Sequence, residues 1–390
     1  MILIYEIKKL LKNKYLILMM MILMMVNILY IISGFNIDAD YYIDADQKIY
    51  NQIKGELSQE KWDYIYSNYT ILSKKISDGQ YKSDGNDSNT ISGYAMTDYL
   101  IFKYYFDKAS YILNYDKYSQ EISEQAINNV SFFENKGLTL SAKENKAISK
   151  LFSNRKINDL YDSSGFEAYF DYDFSMVVVI ILGIYVSINI LQIEQESEMI
   201  NINRLSRHGN RKLFFSKICC INIFMIFFVI LFRLLDFVIL CTKYRFDGLL
   251  QPIYSIEKYK NTGLNINIVE LVGLDIMLKV LGSFMFALIS FMIMTSINKA
   301  VLSLIISIGI FSVAIRIQMI FNFNINLLSI MTTKSLYKLS FVEVLGYPIE
   351  KLYIEVVFAI ILIFLMIIMC LIFKKAGAAN VRSRIKKIIC

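Results

Sequence analysis

The side chains able to do chemistry are few and their arrangement is uneven. The only histidine, His208, stands inside a charged run that goes from Glu194-Gln-Glu-Ser-Glu198 to Arg204-Leu-Ser-Arg-His-Gly-Asn-Arg-Lys212 and on to Ser216-Lys217. One imidazole builds no multi-histidine metal site, and a serine–histidine–acid triad would have to assemble around it. No Gly-x-x-x-x-Gly-Lys-Ser/Thr loop is present to cradle a nucleotide phosphate. The cysteines are Cys219, Cys220, Cys241, Cys370 and Cys390, so residues 36–173 hold no disulfide framework. Catalysis is therefore not expected of this chain, and no metal, cofactor or nucleic acid is expected to be held by it. What remains is recognition. A short run that is acidic first and basic second, set between long apolar stretches, is expected to dock a soluble partner. Its rival role is to hold lipid headgroups through Arg207, Arg211 and Lys212.

The elements that must position this run are membrane spans. The 390 residues are 56% hydrophobic and 19% charged, with mean hydropathy +0.45. Soluble domains are usually less apolar and more charged. Crossing a bilayer core of about 30 Å takes roughly 20 apolar residues. Six stretches qualify: 15–35, 174–193, 213–241, 271–297, 300–320 and 354–373. The first is too long for a cleaved signal peptide and has no small-residue cleavage site after it, so it reads as an uncleaved anchor. The expected fold class is an all-α membrane protein with six transmembrane helices. With both termini in the cytoplasm, the short inner segments carry sixteen Lys and Arg and the short outer loops seven, which is the orientation that positive charge prefers. Before the first span, residues 1–14 form an amphipathic interface helix. Leu3, Ile7, Leu10 and Leu11 share its apolar face, with Glu6, Lys8, Lys9 and Lys12 largely off it. Residues 374–390 form a basic tail.

Residues 36–173 make one large, mainly helical extracellular domain with a net charge of −7 and seventeen of the 27 tyrosines. Such a surface favours cationic or amphipathic ligands. It is equally what a helical core with tyrosines and ordinary solubility charge looks like. Ser141-Ala-Lys-Glu144 reads as a capping box opening a helix that runs to about Phe152. Tyr99, Phe102, Phe106, Ala109, Ile112 and Leu113 mark a second amphipathic helix. The segment 321–353, with Phe341-Val-Glu-Val-Leu-Gly-Tyr-Pro348, is expected as a re-entrant or surface helix. Charges inside the spans are Arg233 and Asp236, spaced to pair, and Arg316, each near an outer end where an arginine can also snorkel to the interface. Asp275 and Lys279 are spaced as a simple pair. Neither proline, Pro252 or Pro348, breaks a span, and no midplane carboxylate is evident, which argues against an ion-coupled transporter.

Six spans, a basic entry helix Glu6-Ile-Lys-Lys-Leu-Leu-Lys-Asn-Lys14, a large domain after the first span and the charged run together resemble permease subunits of type-2 ABC exporters. That class includes bacterial antibiotic, bacteriocin and lantibiotic exporters. The family's first cytoplasmic loop is matched by Glu194, Glu196 and Glu198, then Ile200, Ile202 and Leu205, then Arg207, Arg211 and Lys212, and finally Lys217. The chain departs from it in having Glu198-Met199 where glycine is common, and Ser206-Arg207-His208-Gly209 in place of a proline-containing turn. The resemblance implies a coupling helix within 194–212 gripped by a dimeric cytosolic ATPase, with ATP and magnesium on that partner. It also implies a second permease copy or a related permease, contact with membrane lipids, and a cationic or amphipathic peptide, antibiotic or lipid-like substrate. The expected location is the cell membrane of a Gram-positive bacterium. The other function considered is a membrane-anchored sensor or scaffold that binds a ligand through the acidic domain.

Overall fold

The computed structural model describes residues 2–34, 43–79, 90–196, 209–321 and 331–369. It is mostly helical. A short helix α1 (Ile2–Leu11) turns at Lys12 and Asn13 into α2 (Lys14–Gly34). Helices α3 (Ile43–Ile53), α4 (Gln59–Ser77), α5 (Ala95–Asn135), α6 (Thr139–Phe152) and α7 (Ser164–Asp171) build the large insertion, which returns through α8 (Phe174–Glu196). The chain continues in α9 (Gly209–Cys241), α10 (Ile268–Ile297) and α11 (Ala300–Phe321), and ends its described part in α12 (Lys351–Met369).

Six helices are long and apolar enough to cross a membrane: α2, α8 with α7 before it, α9, α10, α11 and α12. Their apolar windows are 72%, 44% and 61% buried in α8, α9 and α10, but 17% buried in α2, α11 and α12. Three helices thus form the centre and three the rim. The rim exposes rows of large apolar side chains, such as Met21, Met25 and Leu29 on α2 and Phe364 and Leu365 on α12. Water would penalise such rows and lipid tails accept them. The central core packs Phe228 and Phe232 of α9, Val179 and Ile190 of α8, and Phe291 of α10.

The insertion packs on α5, a helix of 41 residues and about 60 Å. Phe102, Tyr105, Ala109 and Ile112 face the core with Ile49, Ile65 and Leu72 of α3 and α4. Leu113 is exposed and Phe106 only partly buried, so the apolar face is narrower than the sequence suggests. A two-residue antiparallel bridge, β1 (Gly55–Glu56) with β2 (Asp159–Leu160), ties the beginning of the insertion to its end.

Three local expectations are corrected. Helix α6 starts at Thr139, with Leu138 at its N-cap and no side-chain cap, so Ser141 lies inside the helix and its capping box does not form. A capping box does form at Asn267 and Glu270, where α10 begins. The segment Phe341–Pro348 is a β-hairpin rather than a helix. β3 (Phe341–Val344) and β4 (Tyr347–Glu350) pair antiparallel around Leu345 and Gly346, whose φ values of 52° and 78° are those of a type I′ turn. The chain is thus not wholly α-helical.

Candidate functional site

Two groups of buried charge stand at opposite ends of the bundle. The first lies where α1 meets the ends of α8 and α9. Positions 3, 6, 7 and 10 of α1 face the bundle, so Glu6 is 1% exposed in the middle of an apolar stripe, while Leu11 turns outward. This reverses the expected places of Glu6 and Leu11. Lys217 of α9, also 1% exposed, puts its Nζ 2.5 Å from Glu194 Oε1 and 3.3 Å from Glu6 Oε1, and donates to the Ile190 carbonyl. Lys9 lies 3.5 Å from Glu6, 3.6 Å from Glu194 and 3.3 Å from the same Ile190 carbonyl. Burial, with Lys217 nearby, lowers the Lys9 ammonium below its ordinary pKa, and Glu6 and Glu194 oppose that shift. Two ammonium and two carboxylate groups balance in charge. Both ammonium groups also sit at the C-terminal end of α8, where the helix dipole favours cations. Asn13 donates to Asn189 at 2.9 Å and completes the seam.

This places the sequence-derived residues differently from one another. Glu194 is buried in the cluster, its carboxylate turned into the protein and not toward a partner. Glu196 stands at the exposed end of α8 and accepts from Gln192 at 2.8 Å. Lys212 is exposed on the first turns of α9. Arg211 belongs to α9 by its backbone, and its side chain lies outside the described part. Glu198, Arg207 and His208 lie outside the described residues. Beside Glu196 a shallow groove of about 630 Å³ runs between the end of α8 and Lys299 at the start of α11.

The second group lies toward the end that carries the insertion. Arg233 is 1% exposed and does not snorkel. Its guanidinium meets Asp236 at 3.5 Å, as the spacing predicts, and Asp275 of α10 at 2.9 Å. It stacks 3.5 Å over the Tyr169 ring and donates to the carbonyls of Tyr169 and Tyr172 at the end of α7. Asn27 of α2 donates to Asp236 at 2.8 Å and accepts from the Tyr172 hydroxyl at 2.7 Å. Asp275 and Lys279 do pair, but Lys279 also reaches Asp173 at 3.7 Å, and Lys334 approaches Asp173 at 3.9 Å. The expected simple pairs are thus one network linking α2, the α7–α8 corner, α9 and α10. Arg316 is exposed on α11, apart from it.

Beyond the second group the insertion is fastened down by tyrosines. Tyr111, Tyr115 and Tyr118, on one face of α5, donate to the Tyr254 carbonyl, the Lys260 carbonyl and Asn261 Oδ1 at 2.7, 3.0 and 2.6 Å. Buried Arg155 holds the Thr262 carbonyl and Asn265. Burial raises the Tyr111 and Tyr115 phenols above their usual range, Tyr115 to about 12. These tyrosines therefore act within the fold, the second of the two readings of the tyrosine-rich domain. Sequence reasoning missed Glu6, Asn27, Asp173 and Lys334. The only signals were a carboxylate at core spacing in α1 and a lone amide in a Met- and Leu-rich span.

Compared with protein-family models, curated proteins and solved structures, the chain shows no match. Among the described residues no cluster of His, Cys, Asp and Glu is arranged to hold a metal ion.

Proposed function

We propose that this chain is the transmembrane permease subunit of an ATP-driven ABC exporter that moves or clears a peptide, antibiotic or other amphipathic substrate. A separate dimeric ATPase supplies the energy, and a second permease copy or a related permease completes the pathway. The observation that carries this reading is the buried cluster of Glu6, Lys9, Glu194 and Lys217. It grips α1 together with the helix ends on both sides of residues 197–208. A force applied to that connection is delivered at once to three helices, which is what a lever between a soluble motor and a rigid bundle requires. In this reading Glu194 holds the lever in place, and Glu196, Glu198, Arg207, Arg211 and Lys212 meet the ATPase with the groove beside Glu196 and Lys299. Copurification from a gentle detergent tests it. A stoichiometric ATPase is expected with the tagged chain, and its stimulated ATP turnover is expected to be lost when Arg211 and Lys212 are both changed to Glu. Recovery of the chain without an ATPase, or normal ATP-dependent transport by that variant, would overturn it.

A further inference from the structure

A cleft of about 590 Å³ lies between α5, α7 and the segment joining α9 to α10, with Tyr337 and Lys338 closing one side. Its volume falls in the usual range for small-molecule sites. Groups of both charge signs line it. Lys338 and Glu167 line it from different elements, and among the described residues neither has an ion pair within 4 Å or a side-chain hydrogen bond, although Lys108 and Lys258 act on Glu167 from further off. Lys260 lies 4.0 Å from the exposed Glu257 and 6.0 Å from the centre of the Tyr118 ring. Ser255 lines the cleft at 4% exposure with a hydroxyl that has no hydrogen-bond partner. A ligand oxygen would give this hydroxyl the partner it lacks. The rings of Tyr111 and Tyr337 form walls, while their hydroxyls are engaged elsewhere, with the Tyr254 carbonyl and with Asp171. The rings therefore offer faces, which attract an ammonium group, rather than donors.

We propose that this cleft binds a phosphate–ammonium zwitterion. The phosphate lies against Lys260 and Lys338 with the Ser255 hydroxyl, and the ammonium lies against Glu167 between the tyrosine rings. Three donors from two segments of the chain suit the oxygens of a tetrahedral anion. Glu167 sits on α7, which leads directly into α8, so the cleft lies beside one end of a helix long and apolar enough to cross a membrane. The ligand is a zwitterionic phospholipid headgroup or the same headgroup free in solution. The inference does not depend on the transport reading.

The test uses the full chain in non-ionic micelles and calorimetric titration with glycerophosphoethanolamine, with inorganic phosphate as the control. Saturable binding of the headgroup is expected. Replacing Lys260 and Lys338 together by Ala is expected to weaken it by about tenfold or more, equivalent to about 1.4 kcal/mol. Glu167→Gln is expected to weaken headgroup binding and leave phosphate binding unchanged. Lys338 is exposed, so Lys338→Ala alone, which reports on the site without disturbing the core, is expected to weaken binding in the same direction. Native mass spectrometry with phosphatidylethanolamine separates the sources. Retention of the lipid by the wild-type chain, lost in the double lysine variant, identifies the bilayer as the source, and binding of the free headgroup alone identifies the solution. No saturable binding of either, unchanged binding in the lysine variants, or phosphate binding as tightly as the zwitterion would overturn the proposal.

Discussion

Lys217 shows what a single side chain does in this bundle. Its ammonium is withdrawn from solvent and from lipid and stands between the carboxylates of Glu6 and Glu194. Burying such a pair contributes little net stability compared with apolar packing, but breaking it is costly, because the remaining charges lose their partner without regaining water. Lys217→Met is therefore expected to cost about 3–5 kcal/mol, since two carboxylates are then left close to each other with Lys9 alone to offset them. Thermal unfolding in micelles should show a clear drop in midpoint. Adding Glu6→Gln and Glu194→Gln should restore much of it, because the stranded charges are gone. A triple variant as unstable as the single one would mean that Lys217 acts by packing alone. Lysine near the start of a span is readable as a flank for orientation. Its inward turn is not, because only the meeting of three helices creates the carboxylate cage that accepts it.

Helix α5 carries the corresponding argument at the scale of an element. Its tyrosines at 111, 115 and 118 recur on one face and fasten the insertion to the segment before α10, with Tyr115 stacked on Tyr254 at 5.1 Å. Burial raises the Tyr115 phenol to about 12 from an ordinary value of about 10. A raised folded-state pKa contributes stability that is complete below the unfolded value and is lost as pH rises through the folded one. The docked insertion is thus expected to hold below about pH 10 and to loosen between about pH 10 and about pH 12. Ultraviolet titration should resolve a late-titrating group of tyrosines, and limited proteolysis within 253–262, normalised to an unstructured peptide substrate at each pH, should accelerate over the same window. Normalised cleavage that is flat across it would show that these hydroxyls do not fasten the insertion. The periodicity of apolar residues made the long helices legible, and pair spacing made Arg233–Asp236 and Asp275–Lys279 legible. Caps and turns were less so. The Ser141–Glu144 pattern matched a capping box, yet the helix began at Thr139 with Leu138 as its N-cap, whereas the true box at Asn267 and Glu270 was hidden at the edge of an apolar span. Phe341-Val-Glu-Val344 has the aromatic and β-branched composition of a strand, but the turn was concealed because it falls on Leu345-Gly346, where the left-handed φ of Leu345 is imposed by the hairpin rather than favoured by leucine itself.

The whole molecule is a bundle with a balanced ionic cluster near each end, a basic end at α1 and an acidic insertion at the other. The end where α1, the start of α9 and the α10–α11 turn gather carries Lys8, Lys9, Lys12, Lys14, Lys212, Lys217 and Lys299. The insertion at the opposite end has a net charge of −7. Helix α1 packs on the ends of α8 and α9 and so fixes its lysines on the same side as those helix ends, the clustering that a positive-inside orientation requires. The orientation is therefore expected to place the insertion and the hairpin outside the cell and the α1 end inside. Single cysteines introduced into a cysteine-free chain at Ser141 on α6, at Leu345 in the hairpin and at Lys299 test it, with a membrane-impermeant maleimide applied to intact cells. The exposed native Cys219 and Cys241 must first be removed. Labelling at 141 and 345, with 299 reacting only after permeabilisation, is expected. The inverted pattern would put the lysine-rich end outside, away from any cytosolic ATPase, and would sink both the orientation and the exporter reading built on it. Labelling at all three positions without permeabilisation would show that the six apolar helices do not separate the two ends by a bilayer.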